Sequence, residues 1–103
     1  MFISTSDYIP GKDYEILGLV EGNTVRSRHI GSDIGAQFKN MIGGEIKGYV
    51  KMMNESRAIA KERLLEDAQK LGADAVIGFR YASASIMQSA VEIIAYATAV
   101  KFK

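Results

Sequence analysis

The segment Ala90–Phe102 constrains the fold of this chain more than any other part of it. In an extended strand, successive side chains point to opposite faces of the sheet. One face of this segment then carries small and branched apolar residues, namely Val91, Ile93, Ala95, Ala97 and Ala99. Because the alanines leave room for a helix to come close to the sheet, we predict that the longest helix of the chain packs on this face.

That helix is predicted by a pattern that runs from Glu45 to Leu71. Apolar residues recur there at steps of three and four, which is typical of an amphipathic helix. They are Ile46, Val50, Met53, Ala60, Leu64, Ala68 and Leu71. At a rise of 1.5 Å per residue the helix would span about 40 Å. Gly43-Gly44 marks its start and Gly72 its end, because glycine adopts the left-handed conformation of a helix C-terminus without steric cost.

The opposite face of Ala90–Phe102 is also apolar. It carries Glu92, Ile94, Tyr96, Thr98, Val100 and Phe102. One helix covers only one face of a small sheet, and burying each large apolar side chain contributes roughly 1.5–3 kcal/mol of gross transfer energy. Their sum, roughly 6–12 kcal/mol, is comparable with the net stability of a whole domain, about 5–15 kcal/mol. We therefore predict that self-association covers this face.

Three further patterns predict the rest of the sheet. Tyr14–Glu21 is an apolar run with charged ends, which is typical of a strand buried at its centre. Asp74–Tyr81 would pair antiparallel with the last strand through a polar connection at Ser83–Ser89. Gly22-Asn23 is a two-residue turn signal, because both residues tolerate positive φ. It predicts a hairpin between Tyr14–Glu21 and an extended segment at Thr24–Ile30.

Composition excludes several functional classes. With 13 basic and 12 acidic residues the formal net charge is +1, so no global field favours nucleic acid or an anionic membrane. Cysteine is absent, which excludes disulfides, thiolate metal sites and cysteine catalysis. Residues 1–7 do not resemble a signal peptide, and the longest apolar run, Ile93–Ala97, is far shorter than the roughly 20 residues of a membrane span. We expect a single domain over residues 1–103, located in the cytoplasm.

The candidate binding residues cluster in Thr24–Asp33. Arg26 and Arg28 would share one face of an extended strand, and the single histidine, His29, would lie on the other. Ser32 and Asp33 are good N-cap residues for a short helix towards Met41. Arginines near a helix N-terminus are suited to phosphate or carboxylate. The alternative is a solvated or intersubunit pair that meets Glu45, Glu55 or Glu92 of a neighbouring copy.

Two charges embedded in otherwise apolar patterns favour the intersubunit alternative. Arg57 lies within the helix and Glu92 within the last strand. A buried charge needs a partner of opposite sign, and a neighbouring copy would supply one. Tyr96, on the same face as Glu92, is a further interface candidate.

Metal binding and catalysis have less support. Borderline metals prefer several convergent imidazoles or thiolates, and this chain offers only His29, with methionines at Met41, Met52, Met53 and Met87. A ring could bring one His29 per copy around an axis, which makes His29 a weak metal candidate. No nucleophile elbow, P-loop or HExxH motif is present, so we expect a protein that is not an enzyme.

The chain as a whole resembles the YbjQ-like proteins, a bacterial family without an established activity. Four segments carry the resemblance in the family's order: Gly22–Ile34; Gly43-Gly44-Glu45 with Glu55, Arg57 and Ala60; Leu71–Arg80; and Glu92–Val100. The resemblance implies a dodecin-like subunit assembled as a ring, specifically a pentamer. It also brings a family label of heavy-metal binding.

These observations lead to one interpretation and one alternative. We predict an α+β fold in which a small antiparallel sheet packs on one long helix, with a short helix, as a dodecin-like subunit of a ring. The expected function is binding of a metal ion or small anion at subunit interfaces, with Arg26, Arg28, His29, Arg57, Glu92 and Tyr96 as ligand or interface candidates. The alternative is a non-enzymatic scaffold or accessory protein that recruits a protein partner.

Overall fold

The computed structural model describes residues 1–27, 44–87 and 90–103. In these ranges the chain forms an α+β fold in which one helix packs on one sheet. The elements in chain order are β1 (Phe2–Ile3), β2 (Tyr14–Ser27), α1 (Gly44–Lys70), β3 (Ala75–Met87) and β4 (Ala90–Phe102). The short helix predicted at Ser32–Met41 lies outside the described residues.

The sheet is mixed, with strand order β1-β3-β4-β2. β2 and β3 both pair antiparallel with β4, whereas β1 pairs parallel with β3 through Phe2 and Ile3. The predicted antiparallel-type sheet is therefore a mixed sheet, because β1 at its edge is parallel to β3. The pattern of the first residues gave no strand signal, because β1 has only two residues.

The helix packs on the face of β4 that carries the alanines, as predicted. Ala95, Ala97 and Ala99 are buried together with Leu64 and Ala68 of α1. The helix lies over β2 and β4 rather than over β3. Val50 and Leu71 of the predicted apolar stripe remain about half exposed, at 48% and 46%.

The close approach of helix and sheet explains Gly22, and it corrects the predicted hairpin. β2 runs without interruption from Tyr14 to Ser27 and pairs with β4 along its whole length. Gly22 is buried within it, and a Cβ at this position would overlap the backbone of Ala60, Arg63 and Leu64. The glycine is therefore required by a helix that crosses the strand, and not by a turn.

A second correction concerns the connection between β3 and β4. The polar segment predicted at Ser83–Ser89 is strand up to Met87, and Ser83 and Ser85 pair with Ile93 and Val91 of β4. Serine and alanine have low strand propensity by themselves. The ladder to the apolar β4 therefore decides the conformation of this segment.

The N-terminal segment covers part of the sheet face that lacks the helix. The amides of Gly78 and Phe79 donate to the carbonyls of Ser6 and Ser4 at 2.8 and 3.0 Å. Beyond them, Ile9 packs on the buried cluster of Ala75, Ile77 and Val100. Val100, predicted to need a partner molecule, is thus buried by its own chain. The uncovered part of the face is smaller than the sequence indicated.

The end of α1 matches the prediction closely. Gly72 has a φ of 76°, the left-handed conformation expected after a helix C-terminus. Its amide donates to the carbonyl of Gln69, and the amide of Ala73 donates to that of Ala68. These two bonds form a Schellman motif, which turns the chain directly into β3.

Candidate functional site

The part of the sheet that neither the helix nor the N-terminal segment covers is the candidate site, here called the outer face. Because side chains alternate along a strand, the positions between the helix-facing ones point to this side. They are Leu19, Glu21, Asn23 and Val25 of β2, Glu92, Ile94, Tyr96 and Thr98 of β4, and Arg80, Ala82 and Ala84 of β3. Leu19 and Val25 are 67% and 54% exposed, so large apolar side chains on this surface are open to solvent.

Polar groups cross the outer face in two places. The side-chain amide of Asn23 donates to a carboxylate oxygen of Glu92 at 3.0 Å. In the next row, the strand register aligns Glu21 of β2, Tyr96 of β4 and Arg80 of β3. The row has an acidic residue at the β2 side of the sheet and a basic residue at the β3 side.

The free edge of β2 is capped by two side chains of the helix. Arg63 donates to the carbonyl of Asn23 at 2.7 Å, and Asp67 accepts from the amide of Glu21 at 3.4 Å. Both groups are backbone atoms that a neighbouring strand would otherwise bind. An edge strand protected in this way is a poor template for adding another strand.

Arg26, a candidate from the sequence, lies on the helix side of β2. Its guanidinium is 3.7 Å from a carboxylate oxygen of Glu55 in the same chain, and the two side chains are 32% and 49% exposed. An exposed pair of this kind contributes roughly 0–1 kcal/mol. The charge of Arg26 is therefore balanced within one copy, although the pair remains accessible to a ligand or a neighbour.

Of the other predicted site residues, those that the structure describes do not form one cluster. Arg57 donates to the side chain of Asn54 on the same helix. Glu92 and Tyr96 lie on the outer face, opposite to the side of Arg26. Arg28 and His29 lie outside the described residues.

Metal ligands are sparse in the described part of the chain. Over residues 1–27, 44–87 and 90–103 no group of three His, Cys, Asp or Glu side chains could hold a metal ion. Met52 and Met53 are half-buried on the helix, and Met53 packs against the helix–sheet core. The chemistry of the described donors thus favours carboxylate and amide contacts over a soft-metal site. Within the same ranges no helix is long and apolar enough to cross a membrane.

Sequence reasoning missed three residues that shape this surface. Arg63 and Asp67, four residues apart on α1, each bind the backbone of β2. Arg80 was not singled out, and it donates to the carbonyls of Thr5 and Phe79. The sequence contained a signal for Arg63 and Asp67, because both charged residues lie close in sequence to Leu64 on the buried side of α1.

Comparison with known proteins gives the family. The model of the YbjQ type, described as "Putative heavy-metal-binding", matches residues 1–103. A UPF0145 protein of Thermotoga maritima is 58% identical over 104 residues, which cover 100% of this chain and 98% of that protein. A UPF0145 protein of Clostridioides difficile is 54% identical over 101 residues, covering 97% and 90%.

A solved structure supports the fold. It is a protein of unknown function from Pediococcus pentosaceus, assigned to the DUF74 family, with a TM-score of 0.72 and 20% sequence identity. The alignment covers 100% of this chain and 98% of that one. At this identity the likeness concerns the fold alone. Together, the match over the whole chain and the relatives above 50% identity show that this protein belongs to the YbjQ family, whose members carry the name UPF0145.

Proposed function

We propose that this protein acts as a non-enzymatic homo-oligomer, a ring of five copies, that binds a small anion or a metal ion where copies meet. The observation that carries the assembly is the outer face. Leu19, Val25 and Tyr96 are exposed there beside the half-buried Ile94. Several large apolar side chains exposed on one sheet face are typical of an interaction site.

The dimensions of the subunit support the same proposal. The Cα radius of gyration is 17.3 Å, whereas a compact domain of this length has one of about 13 Å. Such an extended subunit buries less of its own surface than a compact one. Contacts between copies would supply the missing burial.

The ligand part of the proposal draws on charge and on the family. Arg26 and Glu55 form a partly exposed ion pair on the helix side of β2. An anion brought to this pair by a neighbouring copy would compete with Glu55 for the guanidinium. The metal alternative is suggested by the family description and by His29, with ligands from several copies around one axis.

A second candidate function comes from the same exposed surface. If the outer face binds a different protein, the chain is a scaffold or accessory protein in the cytoplasm rather than a ligand-binding ring. The exposed apolar side chains support either partner. The mixed charge of the face, with Glu21 and Arg80 at its two sides, favours a second copy, since it is complementary to itself.

Native mass spectrometry of protein taken directly from cells tests the proposal. We expect a mass of five chains, with added mass if a ligand is retained. Titration with zinc, copper, nickel and inorganic phosphate then separates the metal from the anion. A monomer at micromolar concentration in light scattering would contradict the assembly. A ring whose mass is unchanged in all four titrations would contradict the ligand proposal and leave the scaffold function.

A further inference from the structure

The two long edges of the sheet differ in how their backbone groups are used. On β2 the amide of Glu21 and the carbonyl of Asn23 are bound by side chains of the helix. These two groups therefore point away from β4. In an antiparallel ladder the paired and unpaired sides alternate along each strand. Gly22 and Thr24 must therefore face β4, where they oppose Ala95 and Ile93.

The same alternation assigns the edge of β3. Because Ala95 and Ile93 face β2, the even-numbered residues of β4 face β3, as the carbonyl of Val100 does when it accepts from the amide of Asp74. Their partners in this ladder are Arg80, Ala82 and Ala84. The amides and carbonyls of Tyr81, Ser83 and Ser85 then point outwards, away from the sheet.

No described residue occupies this edge. β1 pairs with β3 only at Ala75 and Val76, and the hydrogen bonds of the N-terminal segment to β3 end at Phe79. From Tyr81 to Ile86 the strand is exposed and contains only Tyr, Ala, Ser and Ile. Natural edge strands are usually protected by charges, proline or a covering element, and the described structure provides none of these here.

We propose that a neighbouring copy of this chain adds a strand to the open edge of β3 at Ala84–Ile86. This inference builds on the proposed self-association and names the element through which it occurs. The donor is the end of β2 beyond the caps, Val25–Ser27. β2 and β3 run in the same direction, since both are antiparallel to β4, so the sheet continues from copy to copy by parallel pairing.

Charge and register support a second copy as the occupant. Glu21 and Arg80 lie in one row across the sheet, both opposite Tyr96. Continuation in the same register brings Glu21 of the next copy level with Arg80. It also brings the uncapped Val25 level with Ala84, since both oppose Glu92. The contact joins two different surfaces, and such a head-to-tail contact generates a ring when the rotation closes.

Hydrogen exchange and a proline substitution test the inference on the full chain. In the assembled protein the amide of Ser85 is expected to exchange slowly, because Ser85 and Arg26 both oppose Val91 and therefore lie level with each other. Ser85→Pro removes the edge amide level with the donor, a change that edge strands tolerate, and is expected to dissociate the assembly while circular dichroism stays that of the folded chain. Ser85→Thr, which keeps the amide, is the matched control and should remain assembled.

A charge swap tests the donor strand. Arg80→Glu and Glu21→Arg are each expected to weaken assembly at least tenfold, and the double variant should recover it, because the pair is restored between copies. Glu66→Arg, a charge reversal on the exposed side of the helix, is the control. Loss of the bonds from Arg80 to Thr5 and Phe79 would not be repaired by the second substitution, so recovery is specific to the pair.

The outcomes separate this inference from the proposed function. An oligomer with fast exchange at Ser85, and a Ser85→Pro variant that stays assembled, would overturn the edge pairing while leaving self-association intact. Failure of the double variant to recover would exclude β2 as the donor and overturn the parallel head-to-tail contact. A protein that is monomeric at micromolar concentration would overturn both.

Discussion

Replacing Gly22 by alanine is expected to be among the most damaging small changes in this chain. Gly22 is buried in β2 where α1 crosses it, and a Cβ there would lie 2.8 Å from the carbonyl carbon of Arg63 and closer still to backbone atoms of Ala60 and Leu64. All three neighbours are helix backbone, which cannot rotate away as a side chain can. The whole helix must therefore move.

The size of that movement sets the expected energy. Ordinary van der Waals contact begins at 3.4 Å, so the helix must lift by at least about 0.6 Å at Arg63. A gap of 0.5–1 Å forfeits roughly a quarter to a half of the dispersion energy of the atoms that line it. The core between Leu64 and Ala95 would lose contacts in this way. Since overpacking a core typically costs about 1–3 kcal/mol, we expect a loss near or above 3 kcal/mol.

Urea unfolding followed by circular dichroism measures this loss. The protein concentration must be held constant, because association changes apparent stability. Gly48→Ala is the matched control: Gly48 lies in the exposed part of α1 with nothing within 4 Å of its Cβ position. There the substitution should stabilise by roughly 0.5–1 kcal/mol. If Gly22→Ala lowered the free energy of unfolding by less than about 0.5 kcal/mol, the close approach of helix and strand would be refuted.

Three further predictions concern the core, the helix end and the ion pair. Leu64→Ala, at a fully buried position, should lower the free energy of unfolding in urea by about 2–5 kcal/mol, and a loss under about 1 kcal/mol would contradict its central place in the core. Gly72→Ala puts a Cβ on a residue with φ of 76° and should cost roughly 1–2 kcal/mol, seen as a lower thermal midpoint. A double-mutant cycle with Arg26→Ala and Glu55→Ala should give a coupling of at most about 1 kcal/mol that fades in high salt. A coupling that persists in molar salt would indicate a buried pair.

The elements of this fold were largely predictable because their patterns are local. The helical stripe from Glu45 to Leu71 and the left-handed Gly72 matched the structure to within a residue or so. The alanine face of β4 also predicted correctly which side the helix covers. Each of these depends on spacing or on one residue's conformational freedom, and both are visible in sequence.

The errors arose where two distant segments meet. Gly22-Asn23 has the local chemistry of a turn, yet β2 continues through it because β4 pairs with it and α1 needs the space of a missing side chain. Ser83–Met87 has the composition of a loop but is held as strand by β4. In both places the tertiary contacts override the local conformational propensity of the residues.

The candidate site was less predictable than the fold. Glu92 and Tyr96 were correctly assigned to the face opposite the helix, but Arg26 lies on the helix side in an ion pair with Glu55. The roles of Arg63 and Asp67 depend on how α1 lies across the edge of β2. No spacing in the sequence specifies that crossing position.

The sequence by itself determined the helix, its C-terminal stop and the two-faced character of the last strand, because periodicity and glycine conformation act over a few residues. Only the tertiary structure decided which parts of the sheet edges are capped. The caps on β2 require Arg63 and Asp67 to reach a strand about 40 residues away, and among the described residues the N-terminal segment stops pairing with β3 at Phe79. Edges are a property of how strands are arranged in space, so they appear only once the chain has folded.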